Sequence, residues 1–180
     1  MAIPENDVAR LQNWLLSEDI ALTDEVLRKI NQYYDLLRSW SQKISLISRN
    51  DRDHIIENHV IDSLGVLKLI PSTGKIIDIG SGAGFPGIPL ALLRPQATFA
   101  LLESIHKKSV FLNAVIQTLG LRNTVVIEKR LEDLRVEPMY DIATVRALPR
   151  WNEFLPYIKK IMHPDGKIVL FEKRGIYRIL

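Results

Sequence analysis

Glycine recurs at every second position in one short stretch, at Gly80, Gly82 and Gly84 within IIDIGSGAGFPGIPLALL, residues 76–93. Glycines allow a sharp backbone turn and let a ligand approach the amides that begin the next helix. Pro86 suits the first turn of that helix, where its missing N–H has no partner to lose. The stretch therefore predicts a loop that binds a nucleotide-like cofactor. Residues 82–87 also satisfy G-x-G-x-x-G, so the loop alone leaves a nicotinamide or flavin dinucleotide open.

Two carboxylates near this loop bear on the choice of cofactor. Asp78 lies two residues before the first glycine, where the pyrophosphate of a dinucleotide would meet a negative charge. The cationic amino group and sulfonium of S-adenosylmethionine suit that position better. Glu103 ends the next apolar run, FALLES, where it could accept hydrogen bonds from the ribose hydroxyls of either cofactor. Both residues also have structural alternatives: Asp78 could cap the glycine loop, and Glu103 could be a solvated residue at a strand end.

The elements that would position these residues alternate in type after Gly74. Five short apolar runs predict strands, at 75–79, 98–102, 124–128, 140–145 and 167–171. Helical spacing lies between them from about 85, at 105–119 and at 150–162. This alternation is typical of an α/β fold with a parallel doubly wound sheet, which binds ligands at the carboxyl ends of its strands.

Residues before about 70 have a helical pattern instead. Thr23 is a candidate N-cap for an amphipathic helix, with Asp24 and Glu25 at its positive end. A second capped segment begins near Asn50 or Asp51, carries His59, Asp62 and Ser63, and ends around Pro71. We therefore predict an N-terminal helical segment at 1–70 and the α/β domain at 71–180.

Composition excludes several classes of protein. A chain of 180 residues that is 47% hydrophobic can bury one core, and the absence of cysteine rules out disulfides and thiolate zinc sites. We expect no metal, because His59 and Asp62 have no third ligand at a usual spacing. No apolar run approaches the length of a membrane span, and no secretory signal begins the chain, so we expect a cytoplasmic protein. The net charge of +3, with basic pairs such as Lys107–Lys108, makes nucleic acid a possible partner.

Five segments of the sequence form one set: LRSWSQKISLIS at 37–48, HVIDSL at 59–64, DIGSGAGFPGIPLA at 78–91, LLES with its downstream KK and FL, and VRALP at 145–149. Together they resemble the glucose-inhibited division protein B family. The resemblance runs from about residue 5 to 175, and GFPGIPLA is its most specific part. Members of this family are bacterial methyltransferases that modify guanine N7 in small-subunit ribosomal RNA with S-adenosylmethionine. The resemblance thus implies a Rossmann-like class I methyltransferase, with 16S ribosomal RNA or the small ribosomal subunit as its partner.

The resemblance also implies roles for individual residues. It places Gly80 and Phe85 against the cofactor, Leu131 and Glu132 around its adenine, and Arg146 at its pocket from the end of the fourth strand. Together with Asp78, Gly82 and Glu103, these complete the predicted cofactor site. Arg146 and His59 are our candidates for the substrate side of the pocket and for catalysis. Three of the cofactor residues also have a purely structural interpretation. Phe85 and Leu131 could be ordinary packing residues, and Glu132 could be an acidic residue at the start of a helix.

The absence of two motifs narrows the chemistry. Enzymes that methylate exocyclic amines commonly carry Asn/Asp-Pro-Pro-aromatic after the fourth strand, whereas this sequence has VRALP there. Methylation of pyrimidine C5 normally needs a cysteine nucleophile, and the chain contains no cysteine. Guanine N7 carries no proton, so its methylation needs no general base. A dinucleotide-dependent oxidoreductase, disfavoured by Asp78, and a non-catalytic module that binds cofactor or RNA are the alternatives.

The end of the chain departs from the family pattern. Family members usually continue past the fifth strand with a Lys-Gly turn, another helix and a terminal pair of strands, whereas this sequence reads IVLFEKRGIYRIL. We therefore expect the last strands to be missing. IVLF at 168–171 would then be an exposed apolar sheet edge, which favours dimerisation or poor solubility.

Overall fold

A six-stranded sheet forms the centre of the protein, which a computed structural model describes over residues 3–173 and 175–180. The strands are β1 (Gly74–Ile79), β2 (Ala97–Leu102), β3 (Thr124–Ile127), β4 (Tyr140–Arg146), β5 (Met162–Lys173) and β6 (Ile176–Ile179). Their order is β3-β2-β1-β4-β5-β6, and β1 to β5 run parallel. The predicted doubly wound α/β sheet is confirmed. Strand order reverses between β1 and β4, which is where such sheets bind ligands.

Six α-helices accompany the sheet in the described residues. They are α1 (Glu5–Ser17), α2 (Asp24–Trp40), α3 (Asp62–Leu64), α4 (Gly87–Leu93), α5 (His106–Leu119) and α6 (Trp151–Ile161). Short 3₁₀ turns lie at Arg49–Asp51, Leu67–Leu69 and Leu131–Asp133. No helix in these ranges has both the length and the apolar character that crossing a bilayer requires.

The two faces of the sheet carry separate hydrophobic cores, because successive side chains of a strand point to opposite faces. In β1, Ile76 belongs to one core, whereas Ile77 and Ile79 belong to the other. The first core also takes in buried leucines and isoleucines of α1, α2 and α4 and the apolar face of α5. The second is covered by α6. The N-terminal helices therefore pack against the same sheet face as α4 and α5.

The N-terminal helical segment follows the predicted pattern in part. Thr23 caps α2 as predicted, because its Oγ1 accepts a hydrogen bond of 3.3 Å from the Val26 amide. The second capped segment is different: Ser48 caps only a 3₁₀ turn, and a π-helical turn at Ile56–Ile61 then leads directly into α3. The predicted start near Asn50 or Asp51 is therefore wrong by several residues. The π-helical turn matters because it carries His59.

The expectation that the last strands are missing is wrong for one of them, because β6 is present, and the prediction of an exposed apolar edge at 168–171 is wrong with it. β6 runs antiparallel along β5, and its register pairs Val169 with Ile179, Leu170 with Arg178 and Phe171 with Tyr177. The residues after the fifth strand thus satisfy its backbone hydrogen bonds, and the expected association through this edge loses its structural basis. The sequence pattern did not predict this strand, because it is only four residues long and mostly exposed.

Candidate functional site

The glycine loop lies between β1 and α4, at the carboxyl edge of the sheet. Gly80, Gly82 and Gly84 have φ angles of +71°, +57° and +96°, which side chains rarely tolerate. The amides of Gly80 and Ser81 both donate to the carbonyl of Leu102, at 2.9 and 3.0 Å. These bonds fasten the loop to the end of β2. The backbone path therefore requires the glycines, and at Gly84 a Cβ would also lie only 2.7 Å from Ile88 and 2.9 Å from the Tyr33 hydroxyl.

Asp78 supports this loop from within the protein. Its side chain accepts hydrogen bonds from Thr144 Oγ1 at 2.8 Å and from the Gly87 amide at 3.3 Å, and the residue is only 1% exposed. Burial, offset in part by these hydrogen bonds, raises the pKa of Asp78 to about 6. The carboxylate joins β1, β4 and the first residue of α4. This placement favours the loop-supporting role over direct contact with a cofactor.

Tyr33, which lies on α2, also holds the loop. Its hydroxyl donates a 2.6 Å hydrogen bond to the Ala83 carbonyl, and its ring packs 5.4 Å from that of Phe85, centroid to centroid. Burial raises the pKa of Tyr33 well above its usual value, so the hydroxyl stays a donor. Sequence analysis missed this residue, because a tyrosine at a helical spacing is indistinguishable from an ordinary core position.

Two cavities meet at Gly80. The outer pocket, of about 130 Å³, is lined by Gly80, Glu103, Leu131 and Glu132, which are four of the predicted cofactor residues. Glu103 accepts hydrogen bonds from the Gly82 amide at 2.9 Å and the Ile105 amide at 2.8 Å. It is therefore held at the pocket wall, and each carboxylate oxygen keeps a second lone pair for a ligand.

The inner pocket, of about 250 Å³, contains the remaining predicted residues apart from Asp78. Gly82, Phe85, His59 and Arg146 line it together with Gly80. Lys108 adds a second cation, and residues 46–48, from the N-terminal part of the chain, also line the pocket. The structure thus brings His59 and Arg146, far apart in sequence, to one wall of the same cavity.

Arg146 is fixed by several groups of the π-helical turn and α3. Its guanidinium forms an ion pair of 3.0 Å with Asp62 and donates to the Asn58 carbonyl at 2.8 Å and to Ser63 Oγ at 3.2 Å. It also lies 5.9 Å from the ring centroid of Phe85 and 5.7 Å from that of Phe171. The arginine is therefore a fixed part of the pocket wall, and both aromatic rings lie within the distance of a cation–π contact.

His59 is a neutral, packed side chain. Its ring stacks on Phe85 at a centroid distance of 4.9 Å, and Arg146 donates to its Nδ1 at 3.2 Å. Burial and the charge of Arg146 lower the pKa of His59 to about 4. Because Nδ1 accepts, the proton resides on Nε2, which lies 3.8 Å from Asp51 Oδ2. The carboxylate of Asp62, three residues further along the chain, pairs with Arg146 and not with His59.

The last strand also reaches this site. Asp62 Oδ1 accepts a 2.8 Å hydrogen bond from the Gly175 amide, and the Tyr177 hydroxyl donates to the Asp62 carbonyl at 2.8 Å. Asp62 therefore connects Arg146 to the hairpin between β5 and β6. Nothing in the local sequence pattern signalled this contact, because it joins two segments that are distant in the chain.

The histidines at 54, 106 and 163 are exposed. Among residues 3–173 and 175–180, no three His, Cys, Asp or Glu side chains gather closely enough to hold a metal ion.

Solved structures with a similar fold include S-adenosylmethionine-dependent methyltransferases. The chain superposes on one from Aquifex aeolicus with a TM-score of 0.57 at 18% identity, over 68% of each chain. It matches P. horikoshii TYW2 in complex with MeSAdo with a TM-score of 0.56 at 18% identity, over 62% of this chain and 42% of that one. At these identities the likeness establishes the fold alone, and this fold is the predicted Rossmann-like methyltransferase class.

Sequence comparison is more specific. The GidB family model, described as rRNA small subunit methyltransferase G, matches residues 26–175. The chain is 34% identical to ribosomal RNA small subunit methyltransferase G of Chromobacterium violaceum, over 94% of this chain and 80% of the relative. It is 37% identical to the protein of the same name from Christiangramia forsetii, over 86% and 76%. The oxidoreductase alternative is not favoured, and the predicted resemblance is confirmed: the chain belongs to the rRNA small subunit methyltransferase G family.

Proposed function

We propose that this protein transfers a methyl group from S-adenosylmethionine to N7 of a guanine in 16S ribosomal RNA. The proposed site of action is the cytoplasm, with free RNA or the small ribosomal subunit as the substrate. The proposal depends chiefly on the pair of cavities that meet at Gly80, next to the point where strand order reverses. The match to the family model supports it.

The residues of the two cavities fit the cofactor. In the outer pocket, Glu103 would accept hydrogen bonds from the ribose hydroxyls, and Leu131 and Glu132 would hold the adenine. In the inner pocket, the cationic side chains of Lys108 and Arg146 suit the carboxylate of the methionine part. Acceptor groups therefore lie where the ribose and adenine would bind, and cations lie where the methionine carboxylate would bind.

The pocket chemistry suits a reaction without proton transfer. S-adenosylmethionine supplies an electrophilic methyl group, and guanine N7 offers a lone pair that carries no proton. Arg146 is held in an ion pair, and His59, with a pKa of about 4, is neutral and a weak base at neutral pH. Asp78 is sealed under the loop. These residues orient ligands and exclude water, which can lower a barrier by about 7–11 kcal/mol when geometry is favourable.

A basic groove next to the inner pocket suits the RNA backbone. Lys43, Lys107 and Lys108 line this groove together with the exposed side chain of Ile105. Lysines bind phosphates without regard to sequence, so this groove would hold nucleotides that flank the target. Double-stranded RNA buries N7 in a deep, narrow groove, and the target guanine must therefore be in a loop or flipped out of a helix.

Cofactor binding tests the first half of the proposal. Calorimetry should detect one site for S-adenosylmethionine per chain, and Glu103→Gln should weaken it by about 1–3 kcal/mol because a charged acceptor is lost. Glu128→Gln is the matched control, since Glu128 forms an exposed ion pair with His106 and does not line the pocket. Tight binding of NADH without any response to S-adenosylmethionine would contradict the proposal.

Methyl transfer tests the second half. Small-subunit RNA from cells that lack the protein should gain one N7-methylguanine, which borohydride and aniline convert into a strand break that locates the nucleotide. A non-catalytic module would bind the cofactor and leave the RNA unmodified. Label that arrives at a base carbon or an exocyclic amine would refute the N7 assignment.

A further inference from the structure

A third cavity, of about 690 Å³, opens at the carboxyl ends of β4 and β5. Its walls include Ala147, Leu148, Pro149, Trp151, Phe171 and Glu172. Ala147 also lines the inner pocket, and Leu148 also lines the outer pocket. The three cavities thus meet at the turn that follows β4. A ligand in this third cavity, which we call the β4–β5 cleft, would adjoin a ligand in the other two.

Arg146 lies close to residues of both the inner pocket and the β4–β5 cleft. Its guanidinium is 5.9 Å from the ring centroid of Phe85, which lines the inner pocket, and 5.7 Å from that of Phe171, which lines the cleft. The cleft has the size of a typical small-molecule site, about 300–1,000 Å³. Trp151 and Pro149 supply further flat, apolar surface, which is the kind of wall that accepts a planar heterocycle.

The acidic side chain in this cleft limits which base could bind. Glu172 extends from β5, its side chain is 32% exposed, and its Oε1 pairs with Arg178 on β6. Guanine presents two adjacent donors, N1–H and the N2 amine, which a carboxylate can accept together. Adenine and cytosine each place an unprotonated ring nitrogen beside their amine, so the carboxylate would face a lone pair.

We propose that the β4–β5 cleft receives the flipped target guanine and that Glu172 reads its Watson–Crick edge, with Trp151 stacking on the base. Recognition of that edge leaves N7, at the other end of the purine, facing the turn that adjoins the cofactor pockets. The inference rests on the proposed methyl transfer and adds to it the residue that selects guanine.

The test uses small-subunit RNA in which the methylated guanosine, located by strand cleavage, is replaced by inosine, which lacks the N2 amine. The wild-type protein should methylate the inosine RNA with a kcat/KM about 5- to 150-fold lower, the range of one base-reading contact. Glu172→Gln should lower kcat/KM on guanosine RNA by a similar factor and should discriminate little between the two RNAs. Its affinity for S-adenosylmethionine should not change.

Four further variants separate recognition from folding. Arg178→Gln breaks the same ion pair but keeps the carboxylate, so it should retain discrimination against inosine. Glu153→Gln, which removes an exposed carboxylate paired with Arg150 outside the cleft, should behave as wild type. Trp151→Ala should raise KM about 5- to 150-fold through lost stacking, and Trp151→Phe should restore most of it.

Two outcomes would overturn the inference while the proposed function stands: equal activity of the wild-type protein on both RNAs, or full discrimination by Glu172→Gln. Absence of methyl transfer by the wild-type protein itself would refute the proposed function and this inference with it.

Discussion

Among the charge interactions of the site, loss of the ion pair between Asp62 and Arg146 should lower the free energy of unfolding the most. Both side chains are largely withdrawn from solvent, with exposed fractions of 3% and 17%, and the two groups are 3.0 Å apart. Removing one partner of a buried pair leaves the other charge without compensation, which costs about 3–5 kcal/mol. In Asp62→Asn, the guanidinium would still donate to the Asn58 carbonyl and Ser63 Oγ. We therefore expect a loss of about 3 kcal/mol, near the lower end of that range.

A double-mutant cycle separates the pair from its surroundings. Arg146→Met should also destabilise, because it leaves the Asp62 carboxylate buried. The double variant removes both charges, so it should be more stable than the sum of the single effects predicts, with a coupling of about 1–3 kcal/mol. Urea unfolding at pH 7, followed by the fluorescence of the three tryptophans, measures all four proteins.

The control is Arg10→Met, the same substitution at an exposed ion pair. Arg10 and Glu57 are 2.9 Å apart, but their side chains are 56% and 41% exposed, so this change should cost less than about 1 kcal/mol. If Asp62→Asn cost no more than Arg10→Met, or if the cycle showed no coupling, the view of Arg146 as a buried, fixed wall would be wrong.

Three other predictions concern packing, the last strand and pH. Gly87→Ala should destabilise by about 1–3 kcal/mol in urea unfolding, because its Cβ would overlap Leu101, and a wild-type midpoint would contradict this crowding. Tyr177→Phe should cost about 0.5–1.5 kcal/mol by losing the hydrogen bond to Asp62, and an unchanged unfolding midpoint would mean that the bond is not formed. His59 binds its proton more weakly in the folded protein, since burial lowers its pKa from 6.5 to about 4. The stability advantage of wild type over His59→Gln should thus be full above pH 6.5 and shrink as pH falls towards 4; an advantage independent of pH would refute this.

The sequence by itself determined the features that depend on local patterns. Alternating apolar runs and helical spacings gave the parallel sheet, because the period of burial differs between strands and helices. The glycines predicted the loop, since only glycine tolerates its positive φ angles. The shared motifs predicted the family. Four of the predicted cofactor residues then met in the outer pocket because parallel strands end at one edge of the sheet.

Only the tertiary structure decided how side chains pair across the fold. Asp78 lies inside the protein because the pairing of β1 with β4 brings Thr144 beside it, and no sequence period specifies that register. Arg146 meets Asp62 because the helical segment packs across the sheet edge. The hydrophobic pattern did not predict the short strand β6, yet this strand pairs with β5 and contacts Asp62 through the hydroxyl of Tyr177. Contacts between distant segments depend on how whole surfaces fit together, and a local pattern carries little information about that fit.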